Sequence, residues 1–247
     1  MTKQESPVIR MEKISKSFGA VKAVQEVDSH LSHGEILGLV GDNGSGKTTL
    51  MKILAGVYQP DEGSIYLEDD KVKFEHRFVA RAMGIEMVFQ DLGLCPGISI
   101  AENMFMGREL TKKFLGIEVL DKKKMMSESA RCLKNVGIKM PSSKMRVRNL
   151  SGGQQKAVAV ERAVYWDTKV VIMDEPTAAL GVKEQQSVLE IMRNLKKKDM
   201  GIIFISHNLE EVFSVADRIM VLSRGRKISD ICKEDVTKEE IVRMMIT

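Results

Sequence analysis

Cysteine is scarce and oddly counted in this 247-residue chain: Cys95, Cys132 and Cys232 stand far apart. Three thiols at such spacing form neither a disulfide framework nor a zinc-ligand pattern. Reduced thiols in a cytosolic protein are the simplest account. Long apolar runs are missing too: none approaches the ~20 residues that a membrane-crossing helix requires. Met1 to Pro7 are polar and contain no apolar signal core. A soluble, cytoplasmic chain is therefore expected, with any role at a membrane arising through a partner. Net charge is also small, +4. This gives no electrostatic case for nucleic acid, which calls for a concentrated basic face. The runs Lys122-Lys123-Lys124 and Lys196-Lys197-Lys198 are expected to be solvated helix faces; a docking patch for acidic lipid is the weaker alternative.

What is present is ordinary for a globular protein, with 43% hydrophobic and 29% charged residues. A single α/β domain of this size buries a substantial core. The apolar run Ile36–Val40 ends in the glycine-rich loop Gly41-Asp42-Asn43-Gly44-Ser45-Gly46, and Lys47–Leu54 follows with helical apolar spacing. Further strands are predicted at Val8–Met11, Ser64–Leu67, Gly84–Gln90, Lys169–Met173, Gly201–Ile205, Ile219–Leu222 and Arg226–Ser229. Lys183–Lys198 reads as an amphipathic helix. Asn208 and Thr237 read as caps of two more helices. From Ile98 to Arg148 the sequence is rich in Met, Lys and Leu and opens on the capping box Ser99-Ile100-Ala101-Glu102. It is expected to be a mostly helical insertion, broken near Phe114-Leu115-Gly116. Trp166 is expected at a partly buried helix end. Alternating strands and helices imply a mostly parallel sheet covered on both faces.

Two stretches carry chemistry. Gly41 to Thr48 fits the phosphate-loop pattern GxxxxGK[ST]. Its glycines let successive backbone amides point inward at phosphate oxygens, and the helix that follows adds the positive end of its dipole. Lys47 is expected to reach the outer phosphates of ATP, and Thr48 to offer its hydroxyl to Mg²⁺. Asn43, Gly44, Ser45, Gly46 and Thr49 belong to the same nucleotide-binding run. The second stretch is the apolar strand that ends in Asp174-Glu175. Ligand groups in such sheets sit at the carboxyl ends of strands. Asp174 would help hold Mg²⁺, and Glu175 would polarise the attacking water.

A third motif is Leu150-Ser151-Gly152-Gly153-Gln154. Ser151 and Gln154 form a capping box that starts a helix whose amides at Gly152 and Gly153 are free to meet an anion. With the other two sites, this run resembles the signature of the ATP-binding-cassette family, and motif order matches from Phe18 to about Leu222. The resemblance implies an α/β fold of the P-loop NTPase kind. It has a mostly parallel, RecA-like core sheet, an N-terminal antiparallel β part and a helical subdomain inserted at about residues 98–166, all within one domain, 1–247.

The resemblance also implies that Ser151, Gly153 and Gln154 face the γ-phosphate of a nucleotide held by a second cassette subunit. Gln90 would contact Mg²⁺ and link to an integral membrane permease. His207 would contact the γ-phosphate beside the catalytic Glu175 and Lys47, and Phe18 would stack on adenine. One position departs: the family's Ser-Ala-Leu-Asp is Ala178-Ala179-Leu180-Gly181 here, so an interface carboxylate is missing. That variant, with Val182-Lys183-Glu184 after it and the stretch Asp91 to Glu109, is similar to monosaccharide importers, which also employ a sugar-binding protein. One cassette per chain implies a pair, either of two copies or with a different cassette. Peripheral attachment to the inner face of the membrane follows from that resemblance. Export, or ATP sensing without transport, are the competing readings.

Overall fold

The structure, a computed structural model, describes residues 7–134 and 142–246. The polar start at residues 1–6 and residues 135–141 of the expected insertion lie outside the described residues. The chain opens with strands β1 (Ile9–Phe18), β2 (Val21–Leu31) and β3 (Ile36–Val40), then helix α1 (Lys47–Leu54). Next come β4 (Glu62–Leu67), β5 (Asp70–Val72), α2 (Arg77–Ala82), β6 (Ile85–Val88) and α3 (Ile100–Phe105). A hairpin of β7 (Thr111–Phe114) and β8 (Ile117–Leu120) precedes α4 (Lys122–Lys134) and α5 (Gly152–Val164). The remainder is β9 (Val170–Asp174), α6 (Val182–Lys196), β10 (Gly201–Ile205), α7 (Leu209–Val215), β11 (Arg218–Ser223), β12 (Arg226–Cys232) and α8 (Lys238–Ile246).

The core sheet has the order β12-β11-β3-β10-β9-β6. Its five strands from β11 to β6 are parallel, and β12 pairs antiparallel at one edge. Both faces are covered, which is why its strands read as continuous apolar runs and not as alternation. On one face Leu37, Leu39, Ile203 and Ile205 pack with α1 and the first strands. On the other, Ile36, Ile202, Phe204 and Met173 pack with α5, α6 and α7. A third apolar cluster gathers Ile100, Met104, Phe105, Met125 and Val158 from α3, α4 and α5. Trp166 joins it edge-on to Phe105 and Tyr165, under the Arg108 guanidinium.

Three differences from the sequence expectations have physical causes. The expected strand Val8–Met11 is the start of the longer β1, and β2 was not anticipated. Together with β4 and β5 they form the antiparallel sheet β2-β1-β4-β5. Their alternation is broken by register shifts, with Lys13 (φ 49°) and Glu26 (φ 47°) in the left-handed region. The expected break near Phe114-Leu115-Gly116 is the turn of the β7–β8 hairpin, so that part of the insertion is not helical. Leu115 (φ 49°) and Gly116 (φ 82°) are both left-handed, as a two-residue turn of the I′ type demands.

Candidate nucleotide site

One register organises the site. Ile205 at the end of β10 pairs with Leu39 of β3 on one side and with Asp174 of β9 on the other. Three carboxyl ends therefore leave the sheet at the same level, carrying the glycine loop, the acid pair and His207.

The glycine loop is built by close approach. Gly41 has φ 149°, and a Cβ there would lie 2.1 Å from the Leu222 carbonyl oxygen. Gly46 has φ 101°, and its Cβ would lie 2.4 Å from the Ala23 carbonyl oxygen. Neither position admits another residue without moving backbone. Gly46 caps α1 with no side chain of its own, so the first amides of the helix open into the loop. The loop is closed by Ser45 N–H donating to the Asp42 carbonyl at 3.1 Å, and is tied to β11–β12 by Gly225 N–H donating to Ser45 at 3.0 Å. Lys47 is 8% exposed and donates to the carbonyls of Gly41 (2.7 Å) and Asp42 (2.8 Å). Burial lowers its pKa, against the pull of the Glu175, Asp174 and Asp42 carboxylates. Asn43, Gly44 and Thr48 are exposed around it.

The acid pair faces this loop. Asp174 is buried, which raises its carboxyl pKa; the neighbouring Glu175 raises it further, while Lys47 and the Thr48 hydroxyl work against that. A hydroxyl and a carboxylate side by side are a hard-oxygen pair of the sort that Mg²⁺ takes, so the residues fit that ion. Glu175 has φ 47°, a left-handed conformation that a side chain rarely adopts. It is held by its own N–H to the Ile205 carbonyl (3.0 Å) and by Lys156 Nζ on its carbonyl (3.4 Å). Its carboxylate meets His207 Nδ1 at 3.2 Å. Gln90 stands exposed two residues beyond Val88, which pairs with Met173 of β9.

Two buried groups here were not singled out from sequence. Glu211 accepts hydrogen bonds from Thr177 (2.5 Å) and Ser206 (3.4 Å), so one carboxylate of α7 ties together the loops after β9 and β10. Lys156 projects from the signature helix to Glu175. A Glu three residues past a cap and a Lys two residues past a motif carry no local signal of such long-range contacts.

Ser151 and Gln154 make the reciprocal capping box of α5. Phe18 is 44% exposed at the end of β1, its ring 5.2 Å from that of Tyr58. The structure brings Lys47, Thr48, Asp174, Glu175 and His207 together. It places Phe18 and the signature helix on other elements of the same subunit.

A parallel sheet, a glycine cradle at a helix start and an acid pair on a nearby strand define the class of P-loop nucleotide-binding proteins. Residues 24–178, more than half of the chain, match the family model described as ABC transporter, and the chain belongs to that family as an ATP-binding cassette. It is 48% identical to the xylose/arabinose import ATP-binding protein of Sulfolobus acidocaldarius, over 97% of this chain and 94% of that one. It is 42% identical to the fructose import ATP-binding protein of Rhizobium meliloti, over 98% and 94%. It also matches the ribose import ATP-binding protein of Caldanaerobacter subterraneus at 42% identity, but spans only 48% of that chain. Among solved structures, the fold superposes with TM-score 0.84 on an ATP-binding cassette of an ABC transporter in its ADP conformation, at 25% identity over 97% of this chain and 98% of the other. Among the described residues no helix is long and apolar enough to cross a membrane.

Proposed function

We propose that this chain is the ATP-hydrolysing subunit of an importer for a monosaccharide. It works as two copies against an integral membrane permease on the inner face of the membrane, with sugar delivered by a binding protein. Support for the sugar comes from relatives named for xylose/arabinose, fructose and ribose import. Support for pairing comes from a dimeric solved cassette of the same fold. The helical subdomain is read as residues 98–166, on the strength of its separate apolar cluster.

The observation that carries the chemistry is the shared level of Leu39, Asp174 and Ile205. The loop amides and Lys47 bind the β- and γ-phosphates of ATP, and Phe18 packs on the base. Thr48, Asp174 and Gln90 would hold Mg²⁺, which when bound neutralises charge on the transferring phosphoryl oxygens. Glu175 orients and deprotonates the attacking water; His207, against its carboxylate, keeps it aimed. The signature helix of the second copy, through Ser151, Gly153 and Gln154, covers the γ-phosphate. Neither copy alone completes a site, so hydrolysis is coupled to opening and closing of the pair. Beside Gln90 a groove of about 190 Å³ is lined by Arg77, Glu86, Phe89, Met106 and Arg162. It lies between the core sheet and the insertion, and we read it as the seat of a permease loop. The larger cavity, about 760 Å³ around Arg10 and Lys227, includes no phosphate-loop residue.

The test is Glu175→Gln. ATP binding is expected to persist while single-turnover hydrolysis slows roughly 10²–10⁴-fold, the range for loss of a general base. Hydrolysis at the parent rate would remove Glu175 from the mechanism.

A further inference from the structure

The start of α6 lies directly on the signature glycines. A Cβ on Gly152 would come 2.9 Å from Leu180 Cδ2, and one on Gly153 would come 3.0 Å from both Cβ and Cγ of Glu184. The two glycines let α6 sit this close, and the packing delivers the Glu184 carboxylate to the beginning of α5. That carboxylate stands against the Ser151 hydroxyl and the Gly153 amide at the start of α5, and closes its own helix by accepting from Gly181 N–H at 3.3 Å. Its pKa is held below the usual carboxylate range by these three donors, Ser151 first. Gln154 N–H meanwhile donates to the Ser151 oxygen at 3.3 Å, so the hydroxyl hydrogen remains for Glu184.

The Ser151 hydroxyl and the Gly153 amide are two of the groups assigned above to the γ-phosphate carried by the second copy. We propose that Glu184 is a built-in competitor for that phosphate, a carboxylate of the same subunit that occupies the signature donors until a triphosphate presented by the second copy displaces it. This inference rests on the two-copy reading given above. Two anions cannot share one pair of donors, because like charges at hydrogen-bond distance repel. Closure of the pair therefore requires Glu184 to turn away. Its half-exposed, flexible side chain allows the turn without moving α6. The exchange sets how much ATP is needed before the pair closes. Gly181 fits the same picture: where the family carries an aspartate, the carboxylate here stands three residues later and points at the signature helix of its own subunit.

The experiment follows ATP-driven association of the Glu175→Gln protein by sedimentation as ATP is raised with Mg²⁺, with and without Glu184→Gln. The amide is isosteric and still caps Gly181, but it lacks the charge that makes hydrogen bonds to a carboxylate about twice as strong as neutral ones. The ATP concentration at half-association is thus expected to fall roughly 3- to 10-fold. Affinity of the single subunit for a fluorescent ATP analogue is expected to stay unchanged, since Glu184 does not touch the phosphate loop. Glu184→Asp, too short to reach Ser151, is expected to shift the midpoint in the same direction. Association with an unshifted or raised midpoint in both variants overturns the inference and leaves the two-copy reading standing. No association in either protein removes that reading and this inference with it.

Discussion

At the scale of single residues, the site depends on positions where a side chain has no room. Gly41 is the sharpest case: its left-handed φ and the Leu222 carbonyl 2.1 Å from any Cβ act together. Gly41→Ala is expected to cost about 2–4 kcal/mol, from backbone strain plus forced displacement of β11. It should lower the denaturant midpoint and ATP affinity together. A midpoint within error of the parent would show that the loop yields more easily than this geometry allows. The identity of this glycine was legible in sequence, because a phosphate cradle needs a residue without a side chain there. Its steric partner was not, since Leu222 is far along the chain and only sheet pairing brings it near. Glu184 and Lys156 were illegible for the same reason: each acts across the packing of one helix on another element, which no local pattern records.

At the scale of elements, α5 carries both the signature cap and a buried acid. Glu161 is 6% exposed on that helix, and burial raises its pKa to about 7, opposed by Lys198 just past α6. Cys132 on α4 is pushed up to about 11, by burial first and by the nearby Glu161 carboxylate second. Between its ordinary value of 4.5 and about 7, the folded chain holds the Glu161 proton that the unfolded chain has released. The stabilisation from that proton is full below 4.5 and is lost as pH rises through about 7. At 1.36 kcal/mol per unit this amounts to roughly 3 kcal/mol. Chemical denaturation across that window is expected to show stability falling as pH rises, and Glu161→Gln is expected to remove this component. An unaltered pH slope in the variant would assign the dependence elsewhere.

Elements were legible where burial is simple. The interior strand β10 coincides with its apolar run and α1 with its helical spacing, while β3 and β9 sit where continuous apolar runs place them. The β1–β2 pair was half missed, because left-handed Lys13 and Glu26 interrupt the alternation that marks a half-buried strand. The β7–β8 hairpin was missed because nearly all of its residues are exposed on both faces, so burial imposes no period at all.

At the scale of the whole molecule, the account turns on a nucleotide shared between two copies: the glycine cradle of one and the capped signature helix of the other. The register that aligns β3, β9 and β10 puts the phosphate loop, Asp174-Glu175 and His207 on one edge of the sheet. The signature start at Ser151 is carried on α5, held there by the insertion's own apolar cluster and by α6. In the proposed function each chain's ATP is covered by the signature helix of a second copy. The most direct measurement is the mass of the Glu175→Gln protein in solution with saturating ATP and Mg²⁺. The account predicts a species of twice the 27.7 kDa chain that reverts to single chains when ATP is replaced by ADP. A protein that binds ATP tightly yet remains at 27.7 kDa at every ATP concentration would contradict it.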